Sequence, residues 1–256
     1  MAHLGASVGW GLVVAASLVV GGLVAAAVDL PDRVAATITA FGGGTLFSAV
    51  ALELVPDADA GAGVALTALG LLAGTLVYVG ADAWLNRDEK MKMTRRSMHA
   101  AAAGRPLGMS AQQAEAAARG ESIAAGIFVD GVPESIALGL TVAEGGVGVA
   151  LLAGILIGNV VEAYGAAQPI VAGGRSRRFA VTLLTALGFA LAFATVLGGT
   201  VLADASPELI GSAQALAAGA VLAVVSIAVI PHAFEEVSSL VATATVAGFI
   251  VGYVLS

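Results

Sequence analysis

The chain has 256 residues, of which 59% are hydrophobic and only 11% charged. Its mean hydropathy is +0.97. A soluble domain of this length carries roughly 25% charged residues, so the composition excludes an ordinary soluble enzyme or nucleic-acid binder and indicates an integral membrane protein. The formal net charge is −7, and there are no cysteines, which rules out disulfides and thiolate metal sites.

A bilayer-spanning helix needs roughly 20 apolar residues. In chain order, the apolar runs predict spans at about 4–28, 34–54, 60–84, 120–143, 147–171, 179–203, 209–231 and 237–256. The first lacks a preceding Lys or Arg and is long for a signal peptide, so it reads as a retained span. The fourth and fifth reach full length only if acids are tolerated inside them. The expected fold is all-α and integral to the membrane, a single membrane domain of eight helices. The stretch 86–119 is its one long connection, with a short helix at 111–119 and otherwise mobile polypeptide.

With eight spans, all 11 Lys and Arg residues fall in connections on one side. Arg33 follows the first span, seven lie between Arg87 and Arg119, and Arg175, Arg177 and Arg178 follow the fifth. Positive charge collects on the cytoplasmic side. The expected location is therefore the cell membrane, multi-pass, with both termini extracellular and 86–119 cytoplasmic.

The sequence also repeats itself. GGGTLFSAVALELVPDA (42–58) aligns with AAGAVLAVVSIAVIPHA (217–233), matching Gly44 with Gly219 and Pro56 with Pro231. Downstream, GTLV (74–77) meets GFIV (248–251). Spans 1–3 thus resemble spans 6–8. Five spans separate the copies, an odd number, so the repeat is inverted across the membrane, an organisation common in secondary transporters. Spans 4 and 5 form the intervening pair of a 3+2+3 arrangement, and DGVPES (130–135) echoes GNVVEA (158–163).

These echoing segments hold the chemistry. A charge at the bilayer centre costs at least ~2.5–3.5 kcal/mol on insertion scales. Asp130, Glu134 and Glu162 lie in spans without Lys or Arg, which leaves protonation or a visiting cation to neutralise them. Asp130 and Glu134, at i and i+4, share a helix face, as do Asn159 and Glu162 at i and i+3. Pro133 cannot donate its N–H and is expected to kink the fourth span near Val129, freeing carbonyls, while Gly131 lets another backbone approach. Glu53, near the outer end of the second span, is a candidate pocket ligand or an interfacial residue. His232, Glu235 and Glu236 at the cytoplasmic end of the seventh span form a candidate exit site or a solvated helix end. Gln168, before Pro169, is a candidate pathway residue.

Together these residues resemble the ZIP family of divalent-metal transporters. That family has eight spans, a long cytoplasmic connection after the third, and a His-Asn-x-Pro-Glu-Gly motif on the fourth span with a related one on the fifth. Here the matching positions are Asp130, Gly131, Val132, Pro133, Glu134 and Ser135, and then Gly158, Asn159, Val160, Val161, Glu162 and Ala163. The resemblance implies a membrane-embedded transporter of metal ions, moving elevator-like, with Asp130, Glu134, Asn159, Glu162 and Glu53 as metal ligands. It implies zinc as substrate. The missing histidines leave an all-oxygen site that suits Mn²⁺ or Fe²⁺ better, with Co²⁺ and Cd²⁺ as further candidates. No organic cofactor and no nucleic-acid partner is expected; the third and eighth helices offer faces for a homodimer. No His-Glu-x-x-His, Gly-x-Ser-x-Gly or nucleophile–base pair occurs, so an enzyme is not expected. The alternatives are a proton-coupled transporter of a non-metal substrate and a non-transporting, metal-sensing homologue.

Overall fold

The computed structural model describes residues 2–28, 30–102, 109–201 and 205–256, with the side chains of all but 2, 3, 84–102, 109–123, 125 and 130. The described chain is helical throughout, without a strand. Its elements are α1 (Ala2–Ala27), α2 (Asp32–Ala49), α3 (Val55–Ala102), α4 (Met109–Ala143), α5 (Val149–Ala172), α6 (Arg177–Val201), α7 (Pro207–Val224), α8 (Ile230–Val237) and α9 (Leu240–Leu255).

Local chemistry explains several boundaries. The Ser206 hydroxyl caps α7 by accepting from the Leu209 N–H at 3.3 Å, and Pro207 supplies a preset φ at the first turn. Two π-turns, Val50–Leu54 and Val225–Val229, join α2 to α3 and α7 to α8. Each precedes a proline, Pro56 or Pro231. A proline ring crowds the carbonyl four residues earlier and leaves it without its usual donor. Those carbonyls belong to Leu52 and Ile227, in the middle of the two π-turns, where the wider turn relieves the crowding.

Six helical stretches are long and apolar enough to cross a membrane: Leu4–Ala27, Asp32–Ala83, Gly126–Ala143, Val149–Ala172, Arg177–Val201 and Pro207–Val237. Leu240–Leu255 is equally apolar but shorter. The second stretch, at 52 residues, would measure about 78 Å if straight, more than twice a ~30 Å hydrocarbon core. It is not straight: at Gly63 the backbone leaves the helix (φ 78°, ψ 160°), a conformation that glycine adopts without steric cost. Leu72 (63% exposed), Leu76 (71%) and Phe193 (63%) point outward, an arrangement that water penalises and lipid does not. These long apolar helices with apolar outer faces make the chain a multi-pass membrane protein.

Packing follows a matched scheme. α1 packs on α6; α1 on α5 and α6 on α4; α2 on α5 and α7 on α4; α2 on α9 and α7 on α3. The last two interfaces are built alike. Gly44 of α2 leaves no room for a Cβ against the Thr245 carbonyl of α9, nor does Gly248 of α9 against the Phe41 carbonyl of α2. Gly219 of α7 meets the Leu71 carbonyl of α3 in the same way, and Gly74 of α3 meets the Leu216 carbonyl of α7. Positions 41 and 44 are offset from 216 and 219 by 175 residues, as are the two π-turns from each other. The core between these interfaces is aliphatic, with Leu18, Leu138, Leu151, Ile155, Leu184 and Leu191 essentially inaccessible.

Three expectations differ from the structure. Helical backbone continues to Ala102 and resumes at Met109, so much of 86–119 is helical rather than irregular; its side chains lie outside the described residues. α4 stays helical through Pro133. The two π-turns fall ahead of Pro56 and Pro231 instead. Gly131, expected to admit a backbone, faces the Leu191 side chain of α6.

Candidate functional site

The two acid-bearing helices, α4 and α5, pack against each other. Glu134 lies near the middle of the apolar stretch Gly126–Ala143, and its side chain is 6% exposed. Neighbouring Ser135 is fully buried, and its Oγ has no hydrogen-bond partner among the described residues. Asp130 sits on the same helix one turn earlier, but its side chain lies outside the described residues.

On α5, Asn159 is 3% exposed. Its Nδ2 donates to Ser17 Oγ of α1 at 3.1 Å, and Ser17 donates onward to the Val14 carbonyl at 2.6 Å. This chain of donors fixes the amide and ties α5 to α1. Glu162, three residues later, is half-buried. Glu134 and Asn159 are therefore each buried, on two helices that pack together, and Glu162 is half-buried on the second of them. Among the described residues, no group of three or more His, Asp or Glu side chains is placed to hold one metal ion.

Glu53 stands apart from this zone. It sits in the π-turn after α2, and its Oε1 accepts from the Ala150 N–H in the first turn of α5 at 3.4 Å. Ala150 precedes Asn159 by nine residues, about 14 Å along the helix. Glu53 thus lies toward the end of the bundle, where an anionic side chain favours the α5 N-terminus. Gly148 makes this approach possible: a Cβ there would fall 2.5 Å from Glu53 Oε2.

The remaining candidates fall elsewhere. His232, Glu235 and Glu236 are exposed on α8. Gln168 Nε2 donates to the Tyr164 hydroxyl at 2.7 Å, and that hydroxyl accepts from the Leu30 N–H at 2.6 Å. Gln168 therefore belongs to a network holding the connection between α1 and α2.

Sequence reasoning missed three residues at the Glu53 end. Gln214 of α7 is fully buried, and its Nε2 donates to Glu144 Oε2 at 2.9 Å. Glu144 belongs to the short connection between α4 and α5. Partial burial raises its carboxyl above the ordinary carboxylate range, the negative charge of Asp57 adds to this, and the Gln214 hydrogen bond opposes it. A lone glutamine inside the apolar run 209–231 was the available signal.

Compared with models of known protein families and with curated proteins, the chain matches none.

Proposed function

We propose that the chain is a transporter of divalent metal cations, working through a carboxylate site between α4 and α5. The observation that carries this reading is Glu134, an acid held 6% exposed at mid-span, on a helix whose apolar stretch has no Lys or Arg and against a helix that has none either. A buried acid there needs a proton or a cation. Asn159 and Glu162, oxygen-bearing side chains on the helix that packs against α4, favour the cation.

The architecture proposed with it is eight spans in a 3+2+3 arrangement. The second comprises α2, its π-turn and α3 up to Gly63; the third is the rest of α3; the seventh is α7, its π-turn and α8; the eighth is α9. Exchanging spans 1, 2, 3 and 4 with 6, 7, 8 and 5 turns the packing scheme into itself. The glycine–carbonyl contacts and the two π-turns recur at nearly the same offset, which supports an inverted repeat. ZIP-like transporters share this plan. The ion passes Glu53, rests among Asp130, Glu134, Asn159 and Glu162, and leaves near His232 and Glu236. An elevator-like displacement of the α1–α4–α5–α6 group against the remainder provides alternating access. All-oxygen ligands accept Mn²⁺ and Fe²⁺ as well as Zn²⁺.

Uptake of Zn²⁺, Mn²⁺, Fe²⁺, Co²⁺ and Cd²⁺ into proteoliposomes tests this reading. The wild type should accumulate at least one of them, and Glu134→Ala and Glu162→Ala should reduce uptake to the protein-free level. Wild-type uptake by both variants would refute the site. pH-dependent flux of another solute without metal uptake would favour the proton-coupled alternative.

A further inference from the structure

The α2–α5 interface is a seam between the two groups that an elevator-like cycle would move, and a carboxylate fastens one end of it. α5 begins after Gly148, which has no side chain to offer the first N–H groups. Glu53, from the π-turn after α2, supplies the missing cap. Its Oε1 accepts from the Ala150 N–H at 3.4 Å, and the Leu151 N–H acts on the same carboxyl. The absence of a Cβ at Gly148 is what admits Glu53 Oε2. A helix capped from another element loses its cap when the two elements separate.

One turn further along α5 the seam is shut. A Cβ at Gly154 would stand 2.8 Å from Leu46 Cδ2 and 2.9 Å from Thr45 Oγ1, and Thr45 is fully buried. The matched seam, between α4 and α7, differs in both respects. Gly126 of α4 takes the place of Gly154 at the offset of the two acid-bearing segments, and a Cβ there would meet nothing within 4 Å among the described residues. Ala228 takes the place of Glu53 at the offset of the two π-turns, so the second π-turn has no carboxylate at that position. The seam that is closed at its glycine is thus the one that carries the carboxylate.

The fastening is weak by construction. At 3.4 Å the bond is long, and Glu53 Oε2 is a buried acceptor with no hydrogen-bond partner among the described residues. Opening the seam removes the cap but lets water reach Oε2, and the two effects oppose each other. We propose that Glu53 is the latch of this seam: its carboxylate holds the first turn of α5 against α2, and the seam opens when it lets go. The proposal rests on the transporter reading for making this seam the outer gate. Glu53 then governs ion entry by positioning α5 rather than by ligating the ion.

Thiol labelling of the full chain on intact cells tests the latch. Thr45→Cys, buried in the closed seam, should react slowly with a small, charged, membrane-impermeant methanethiosulfonate added outside. Adding Glu53→Ala should speed the reaction about tenfold, the effect of losing one charge-assisted hydrogen bond. Adding Asp59→Asn, an exposed acid on the following helix, should leave the rate unchanged. Gly148→Ala keeps the carboxylate but sets a Cβ 2.5 Å from its Oε2, and should speed labelling as well. The double change Glu53→Ala and Gly148→Ser separates a latch from a plain cap. Gly148 has the extended backbone of an N-cap (φ −63°, ψ 100°), so a serine there caps α5 locally once Glu53 is gone. The melting temperature in detergent should then recover while labelling stays fast. Labelling that slows again in the double variant overturns the proposal, since Glu53 would then merely cap α5. Unchanged labelling in both Glu53→Ala and Gly148→Ala overturns it too. If the wild type takes up no metal, the transporter reading fails by itself, because the labelling involves no metal and still decides whether Glu53 fastens the seam.

Discussion

Asn159 illustrates how much a single buried amide can constrain. Its Nδ2 has a described partner in Ser17 Oγ on a different helix. Ser17→Ala removes that acceptor and leaves a donor buried at a helix–helix contact, at a cost of about 1–3 kcal/mol. The melting temperature in detergent should fall accordingly, whereas Ser17→Thr, which retains the hydroxyl, should restore much of it. Glu144 gives a second test at this scale. Its carboxyl in the folded protein sits above its unfolded value. Its favourable contribution is therefore fully present below pH 4.5, the unfolded value, and is lost as pH rises through the higher folded value. The melting temperature of Glu144→Gln should match that of the wild type at pH 4 and exceed it at pH 7. A gap that closes on going to neutral pH would contradict the assigned direction. The buried acid Glu134 was legible in the sequence, because a charge in an apolar run needs an explanation wherever it packs. The Glu144–Gln214 pair was not, since the two residues are 70 positions apart and only tertiary packing joins them.

At the level of elements, the glycines carry the argument. Gly44 and Gly219 occupy equivalent positions in the α2–α9 and α7–α3 interfaces, each against a carbonyl with no room for a Cβ. Without a hydrophobic drive between helices in lipid, such close approach supplies much of the packing energy. Gly44→Val and Gly219→Val should each cost about 1–3 kcal/mol or more through forced separation. Gly80→Val, where nothing lies within 4 Å, should stay within about 0.5 kcal/mol. Thermal unfolding of the three variants in the same detergent checks this, and equal losses at all three would dissociate the glycines from packing. The likeness of 42–58 to 217–233 was visible in the sequence because Gly and Pro have few substitutes where backbones touch or turns widen. The π-turns were not, because Pro56 and Pro231 identify where an α ladder is disturbed and leave open how the chain absorbs it. Pro133 makes the contrast plain: the same residue type leaves α4 helical. Gly63 was missed for a related reason. One glycine among the 34 in the chain is not distinguishable by type, and only its φ of 78° inside an otherwise helical stretch sets it apart.

For the whole molecule, the sorting of charge makes the sharpest prediction. Every Lys and Arg lies in segments that an eight-span path places on one side, and the turn at Gly63 and the connections at 144–148 and 202–206 have none. The positive-inside rule then puts those three connections outside and the segments around Gly174 and Ser238 inside. A chain without cysteine lets this be read cleanly with single introduced thiols. Gly146→Cys and Ser206→Cys should react with a membrane-impermeant maleimide added to intact cells. Gly174→Cys and Ser238→Cys should react only after permeabilisation. The path also depends on Gly63, where the 52-residue stretch Asp32–Ala83 turns. Gly63→Cys should label from outside, because a single crossing cannot absorb about 78 Å of helix and the turn must emerge on the side of Glu53. Labelling of Gly63→Cys from the same side as Gly174→Cys would break the alternation on which the inverted repeat depends. The α2–α9 and α7–α3 interfaces would then be alike in contact but not related by inversion.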